Sequence, residues 1–444
     1  MNERLGPRAV WALLGVLGAL VLVNVPELGS DPWPFHPPHV DAHGLLGPLV
    51  RAADGEWDLG AIRSPALLAG VLVAVAGLVA VRGRPVRADL LLGLTVAVSL
   101  LLLLPAALLQ VGLRDATEPW YHVNDSTYQI ELAGDLLLDG ENPYGHDYSA
   151  SGLERFYDAA GVESERPQVA LRHLAYFPGT PVTGALWRAL PRPLDDYRLF
   201  VLLATLASIG AVLLFRAPTA WRLPVAAVVA ANPLAVRAAW FGTADMPSIV
   251  CVLLAFALVT RRRFTAAAVA LALAVLLKQF ALVAVPFVAV MLLSRATRGQ
   301  LRRATIVFGG VLVAGVLPFV LADPGAFWHD TIAYGSGTYR IVGYGLSALL
   351  LNAGVIDDRF GDYPFVPVAL VTWVPATAWL VWRQHREGTL WLGAAGFAIS
   401  IFILVWISRA FHTSYLVWPL AGIAAAVLLA VGESTRSAGA SRRR

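Results

Sequence analysis

The sequence predicts an all-α polytopic membrane protein of about twelve transmembrane helices, with one long outer loop bearing amphipathic surface helices. Three observations lead there. Of the 444 residues, 57% are hydrophobic and only 14% charged, where a soluble domain carries about 25% charged residues. The mean hydropathy is +0.65, and the apolar residues come in long blocks. Blocks of about 18 or more match a hydrocarbon core of ~30 Å. The basic and acidic residues are also sorted between alternate connecting segments, which is how topology is written into a membrane chain.

Spans are expected at 8–26, 65–81, 89–113, 198–215, 222–241, 246–260, 264–277, 279–294, 304–322, 364–382, 390–408 and 412–431. The seventh and eighth are short and divide at Lys278-Gln279. A further apolar piece at 341–354 reads as re-entrant. The stretch Val25-Pro26-Glu27-Leu28-Gly29-Ser30 lacks a small-x-small cleavage site, so the first span is expected to stay as an anchor. With the N-terminus in the cytoplasm, the cytoplasmic segments collect 20 of the 34 basic residues. They hold only Glu3, Asp89, Glu387 and Glu433 among the 30 acidic ones. Few Lys or Arg are translocated, so both termini are expected in the cytoplasm and the span number is even. The chain reads as a single domain, 1–444, with 114–197 as its outer loop and 432–444 as a basic, disordered cytoplasmic tail near anionic lipid.

Several function classes drop out. Basic residues scattered between apolar runs, with a net charge of +4, do not describe a nucleic-acid surface. The single cysteine, Cys251, allows no internal disulfide and reads as a buried, inert thiol. There is no Walker loop, Rossmann glycine fingerprint, zinc cysteine cluster or HExxH. Residues 31–43 hold His36, His39, His43, Asp31 and Asp41, but Pro32, Pro34, Pro37 and Pro38 make this a stiff extended segment. No metal site and no cofactor are expected there or elsewhere, although a divalent metal requirement is not excluded by residue content.

The loop 114–197 is the largest polar segment, and loops of such length usually carry function. Within it a helix is expected over 126–139, capped by Asn124 or Asp125 and ended by Gly140. Ile130, Ala133 and Leu137, with Leu132 and Leu136 beside them, make one apolar face. Glu131, Asp135 and Asp139 make another, read as solvated, as are Asp147 and Asp158. Such a helix can rest on a membrane surface. Asp125 at its start has two readings: a carboxylate that favours a helix N-terminus, or a catalytic group. Outer aromatics such as Trp57, Trp120, Tyr121, Trp328, Tyr339 and Tyr344 read mainly as an interfacial belt.

Asp125, Tyr128 and the turn Gly140-Glu141-Asn142-Pro143-Tyr144 resemble the first outer loop of GT-C superfamily glycosyltransferases, closest to bacterial mannosyltransferases that use polyprenyl-phosphate mannose. The resemblance continues through Leu174-Ala175-Tyr176-Phe177-Pro178, Leu277-Lys278-Gln279-Phe280 and His412-Thr413-Ser414-Tyr415. Order and placement make these motifs specific, each alone being degenerate. The chain departs from the family pattern in setting two spans and a loop before the first span that precedes the acidic residue.

The resemblance implies transfer of a sugar, with mannose first among candidates, from a polyprenyl-phosphate donor to a glycolipid or glycan acceptor. It implies inversion at the anomeric carbon and an active site on the extracytoplasmic face of the plasma membrane. Such chemistry needs a base for the acceptor hydroxyl, and Asp125 is the candidate. It needs cations placed for the charge developing on the leaving phosphate. Lys278, Arg237, Arg409 and His412 are the candidates for that phosphate. Lys278 stands where topology needs no positive charge, so a partner is expected beside it. Arg409 and His412 are taken to share a face at the mouth of the last helix, and His412 is a possible second base. Tyr128, Tyr144, Tyr176, Asp245 and Arg340 are the candidates for substrate binding. Asp245, in Phe241-Gly242-Thr243-Ala244-Asp245-Met246-Pro247, has the alternative reading of a helix cap. Arg340 follows a glycine-rich loop that also reads as a simple linker. The competing readings are a transporter or lipid flippase of the cell envelope, which predicts mid-helix charges and two similar halves, and a non-catalytic assembly factor.

Overall fold

The structure, a computed structural model, describes residues 4–5, 42–52, 68, 86–117, 123–157, 170–338 and 340–441. The spans expected at 8–26 and 65–81, most of loop 31–43, and Trp57, Trp120, Tyr121, Asp158 and Tyr339 lie outside them. The helices in chain order are α1 (Gly47–Ala52), α2 (Ala88–Asp115), α3 (Asp125–Leu138), α4 (Gly179–Arg188), α5 (Tyr197–Leu213), α6 (Thr219–Ala231), α7 (Pro233–Phe241), α8 (Met246–Thr260) and α9 (Phe264–Leu277). They continue as α10 (Val285–Arg295), α11 (Arg298–Ala322), α12 (Pro324–Trp328), α13 (Leu346–Asn352), α14 (Phe365–Val371), α15 (Trp373–Glu387), α16 (Leu390–Ile407) and α17 (Val417–Ser441).

Among the described residues, five helical stretches are long and apolar enough to cross a membrane: Ala88–Asp115, Arg298–Ala322, Phe365–Glu387, Leu390–Ile407 and Ser414–Ser434. A sixth is possible if α6 and α7, bent by 44° at a break, count as one. This multi-pass arrangement is what the hydropathy implies. The count of twelve is not confirmed among the described residues, since the expected spans 8–26 and 65–81 lie outside them. Helices α8 and α9 have 15 and 14 residues, and at ~1.5 Å per residue these fall short of a ~30 Å core. Hydropathy scores composition and does not distinguish a span from a short buried helix.

Helices α8, α9, α16 and α17 share the main core with Phe256, Phe287, Phe397 and Trp418 at its centre. Helix α8 is buried on nearly every side, as expected of a helix apolar all round. Helix α11 behaves oppositely. Its side chains Ile306, Val313 and Leu321 are 61%, 57% and 73% exposed, a surface suited to acyl chains and not to water. The apolar piece at 341–354 contains the short α13, and α17 extends through Ser441 into the segment expected as a disordered tail.

The long loop folds around a core of its own, made of Val123, Tyr128, Tyr144, Tyr148, Leu153, Leu171, Leu174 and Phe327. Its helix α3 begins where expected. Asn124 is the cap, its Oδ1 accepting from Ser126 N at 3.0 Å, and Gly140 ends it with φ +81°. The face read as solvated is so only in part: Asp139 is exposed, whereas Glu131 is not. Glu131 is 2% exposed, ion-paired with Arg114 and accepting from Tyr197 N at 2.8 Å. A buried carboxylate persists because it is paired. Asp135 likewise pairs with Arg188 at 2.9 Å. A neighbouring side of the helix crosses α4 closely. A Cβ on Gly134 would stand 2.6 Å from Gly184 C, and one on Gly184 would stand 2.6 Å from Ile130 O.

Two strands, Val342–Gly343 (β1) and Ala410–Phe411 (β2), pair in parallel. Gly343 has φ +86°, and a Cβ there would sit 1.7 Å from Phe411 O, so only glycine fits. The pairing sets Arg340 and His412 at the same end of the bundle.

Candidate active site

Lys278 takes extended backbone angles, φ −157° and ψ 125°, between α9 and a 3-10 segment, Gln279–Ala284. The expected split at Lys278-Gln279 is thus real, and it exposes the carbonyl end of α9, where a cation is favoured. The expected partner is also there. Lys278 Nζ lies 2.7 Å from Asp245 Oδ1, both groups being buried. Asp245 Oδ1 also accepts from Trp418 Nε1 at 2.7 Å. Asp245 stands at the N-cap position of α8, but its side chain makes no capping bond. The cap reading is thereby replaced by an ion-pair one. The rings of Tyr176, Phe280 and Tyr415 surround the ammonium, with centroids 5.9, 5.4 and 5.3 Å away, within cation–π range.

These groups open on a cavity of about 810 Å³. Of the residues expected at the site, Asp125, Tyr176, Asp245, Lys278, Arg340 and His412 line it. Asp125 is half-buried at the first turn of α3. Its Oδ1 accepts from Ser126 N at 2.7 Å and its Oδ2 from Tyr157 OH at 3.4 Å. The Arg340 guanidinium lies 5.5 Å from the Tyr157 ring centroid. Tyr157 therefore stands between the carboxylate and the guanidinium. His412 is exposed and opens into the cavity. Desolvation, then the Lys278 and Arg340 charges, push its pKa below the ordinary histidine value, against the opposing effect of Asp125 and Asp245.

The other end of the cavity is apolar, formed by Leu282, Val283, Pro286, Phe365, Trp373 and Leu404. One space thus joins a charged head, holding both signs, to a hydrophobic slot between α10, α14, α15 and α16.

Four expected residues do not line it. Tyr128 donates to Ser151 O at 2.6 Å and faces Arg114, 5.7 Å from its ring. Tyr144 is buried and donates to Tyr176 O at 2.8 Å, so it braces the cavity wall from behind. Arg237 lies 5.9 Å from the Phe241 ring, one turn along α7. Arg409 does not share a helix face with His412, because the segment between α16 and α17 is a turn and a strand. Its guanidinium donates to Gly361 O at 3.0 Å. Tyr157 and Trp418 were not anticipated, Tyr334 was read only among the outer aromatics, and Gln279 only as part of its motif. Gln279 and Tyr415 sit inside motifs already noted, whereas an isolated loop Tyr or helix Trp carries no signal of its own.

A smaller cavity of about 250 Å³ lies beside Tyr128. Its charges satisfy each other. Arg114 pairs with Glu131 and Asp196, and Arg188 with Asp135 and Asp195. This knot ties α2, α3, α4 and α5 together, and the site belongs to the larger cavity.

Comparison with known proteins places the chain. No curated protein matches it. It is similar to the crystal structure of ArnT from Cupriavidus metallidurans bound to undecaprenyl phosphate, with 21% identity and a TM-score of 0.47. That match covers 76% of this chain and 59% of the other, so this chain spans about three-fifths of that chain's length. Residues 175–408 match the model of glycosyltransferase family 87. The matched region takes in Tyr176, Asp245, Lys278 and Arg340, and it covers more than half of the 444 residues. The chain belongs to glycosyltransferase family 87.

Proposed function

We propose that the protein transfers a sugar from a polyprenyl-phosphate donor to a hydroxyl of a glycolipid or glycan acceptor, with inversion at the anomeric carbon. The observation that carries this reading is the joined cavity: a carboxylate, cations and aromatic rings at one end, and a hydrophobic slot at the other. A free sugar nucleotide has no use for the slot, whereas a lipid-linked sugar phosphate needs both ends. Membership of a glycosyltransferase family supplies the reaction class and disfavours a transporter.

In this reading the acceptor O–H gives its proton to Asp125 as the oxygen bonds to the anomeric carbon. The bond from that carbon to the phosphate oxygen breaks, and the electron pair leaves with the phosphate. Three groups face that developing charge. Lys278 spends one of its three donors on Asp245 and keeps others for phosphate. Arg340 offers a planar fork suited to phosphate oxygens. His412, neutral near pH 7, still donates one N–H. Positioned donors in a site screened from water are the usual source of such stabilisation. The Tyr157 hydroxyl orients the Asp125 carboxylate. Tyr176 and Asp245 are assigned to sugar contacts. Arg237 and Arg409 we assign to supporting the walls of the site, and Tyr128 and Tyr144 to bracing the loop.

Mannose is the sugar we favour, on the motif resemblance that includes Gly140-Glu141-Asn142-Pro143-Tyr144. The charge asymmetry of the connecting segments supports an extracytoplasmic site in the plasma membrane with cytoplasmic termini. The test is sugar transfer from polyprenyl-phosphate mannose, and from other polyprenyl-phosphate sugars, in membranes carrying the protein. Asp125→Asn is expected to lower turnover by about 10²–10⁴. It keeps the fold, since Asn124 provides the cap. Full turnover in Asp125→Asn removes Asp125 as the base.

A further inference from the structure

Behind the cavity wall, three side chains from two distant segments converge. Asp330 Oδ1 lies 3.1 Å from His173 Nδ1 and 4.0 Å from His329 Nδ1. One ligand atom from each residue can be chosen so that all three lie within 4.8 Å of one another. We propose that His173, His329 and Asp330 bind one divalent transition-metal ion of the zinc class, which clamps the long loop to the cavity wall.

The donor set selects the ion class. Two imidazole nitrogens and one carboxylate suit zinc and its neighbours in the first transition series, whereas magnesium and calcium prefer oxygen alone. The spacing fits after a small movement. Bonds of ~2.0–2.1 Å at a tetrahedral centre set ligand atoms ~3.3 Å apart, between the two distances found. His329, whose side chain is 60% exposed, is free to make that movement and gives the ion a way in. Water takes the remaining position.

The other two ligands are already fixed. Asp330 Oδ2 accepts from Gly145 N at 2.8 Å and Leu174 N at 3.2 Å, which aims Oδ1 at the imidazoles. Such outer bonds to a ligating carboxylate are a regular feature of metal sites. The His173 ring stacks on Tyr334 at 4.3 Å and 28°. Asp330 is 2% exposed, and a carboxylate that far from water is costly without a cation. Its Oδ1 faces both imidazoles, and an ion held among the three groups would answer that cost.

The consequence is mechanical. Thr331 and Tyr334 follow on the same segment and line the cavity. The ion would join that wall to His173 of the long loop, beside the bonds from Gly145 and Leu174 to Asp330, whichever sugar is transferred. The role is structural, with no step of sugar transfer passing through the ion.

The experiment uses the full-length protein in detergent, without a histidine tag, stripped with a chelator and titrated with Co²⁺ and then Zn²⁺. The expected result is one equivalent bound, visible Co²⁺ absorption bands that Zn²⁺ abolishes, and a rise in Tm of a few degrees on loading. His329→Ala removes an exposed side chain, so the fold survives. It is expected to weaken binding about 10-fold or more and to lose the Tm rise. Mg²⁺ is expected not to compete. Absence of stoichiometric Co²⁺ or Zn²⁺ binding overturns the proposal. Binding of equal strength in the His329→Ala protein overturns it too.

Discussion

The Lys278–Asp245 pair separates stability from substrate binding in one set of variants. Both residues are buried, at 7% and 1% exposure, with Nζ and Oδ1 2.7 Å apart. Lys278→Met leaves the Asp245 carboxylate facing the Trp418 N–H without a cation. Asp245→Asn leaves the ammonium to the rings of Tyr176, Phe280 and Tyr415. Stranding one member of a buried pair costs about 3–5 kcal/mol, whereas removing both charges is often neutral. Each single variant should therefore lose several degrees in Tm, and Lys278→Met with Asp245→Asn should regain most of it. Circular dichroism of the detergent-solubilised proteins reads this directly. The folded double variant then answers the functional question. A charge-assisted hydrogen bond from Lys278 to the donor phosphate is worth about 1.5–3 kcal/mol. At about 1.4 kcal/mol per tenfold, its loss should raise the donor KM by about 10- to 150-fold. A double variant with the wild-type donor KM refutes Lys278 as a phosphate ligand. Single variants as stable as the double refute the ion pair as a stabilising element.

Two further outcomes follow from the geometry. Gly134→Ala, and separately Gly184→Ala, pushes α3 away from α4 where a Cβ meets backbone at 2.6 Å. Each should cost about 1–3 kcal/mol, and an unchanged Tm in both refutes the close crossing. The His412 imidazole, with its pKa lowered by desolvation and by Lys278 and Arg340, binds fewer protons in the folded protein than in the unfolded chain. Its contribution to stability is thus full above the ordinary histidine value of about 6.5 and is lost as pH falls below it. The same shift keeps it uncharged from about pH 6.5 upward, so kcat/KM should show no acid limb there from this residue. A limb at or above that value that vanishes in His412→Gln sinks the assignment.

What was legible in the chain depended on whether a residue's meaning is local. The helix from Asp125 to Leu138 was readable because its cap, its apolar spacing and its terminal glycine all lie within sixteen residues of one another. The break at Lys278 was readable because a lone lysine in an apolar run is costly in a low-dielectric interior, and every other basic residue of the chain is arginine. That cost says a partner exists but not which one. Asp245 became the partner only in three dimensions, where α8 and the break meet. Glu131 failed for the same reason in reverse. Its helical face looked solvated, and nothing in its neighbourhood announced Arg114, which arrives from the end of α2. Arg409 failed because the reading assumed a continuous helix to His412, and the parallel pairing of Val342–Gly343 with Ala410–Phe411 turns the chain there instead.

The span count and the site rest on different physics. Hydropathy measures the transfer of side chains from water and is blind to whether they enter lipid or protein, so α8 and α9 look like spans although their length suits burial within a bundle. Charge behaves more selectively. An ionised group inside apolar surroundings must be paired, bound to ligand or moved to an edge. Lys278 was picked on that constraint, and Asp125, Asp245, Arg340 and His412 on motifs and on the needs of the chemistry; all five line one cavity, whereas Arg237 and Arg409 do not. Tyr157 and Trp418 escaped, and Tyr334 stayed among the outer aromatics, because an aromatic ring is at home at an interface, in a core or beside a ligand, and its position in the sequence does not choose among them. Clustering of the costly residues, and silence about the inexpensive ones, is what the energetics of burial predict for any membrane enzyme whose site lies between helices.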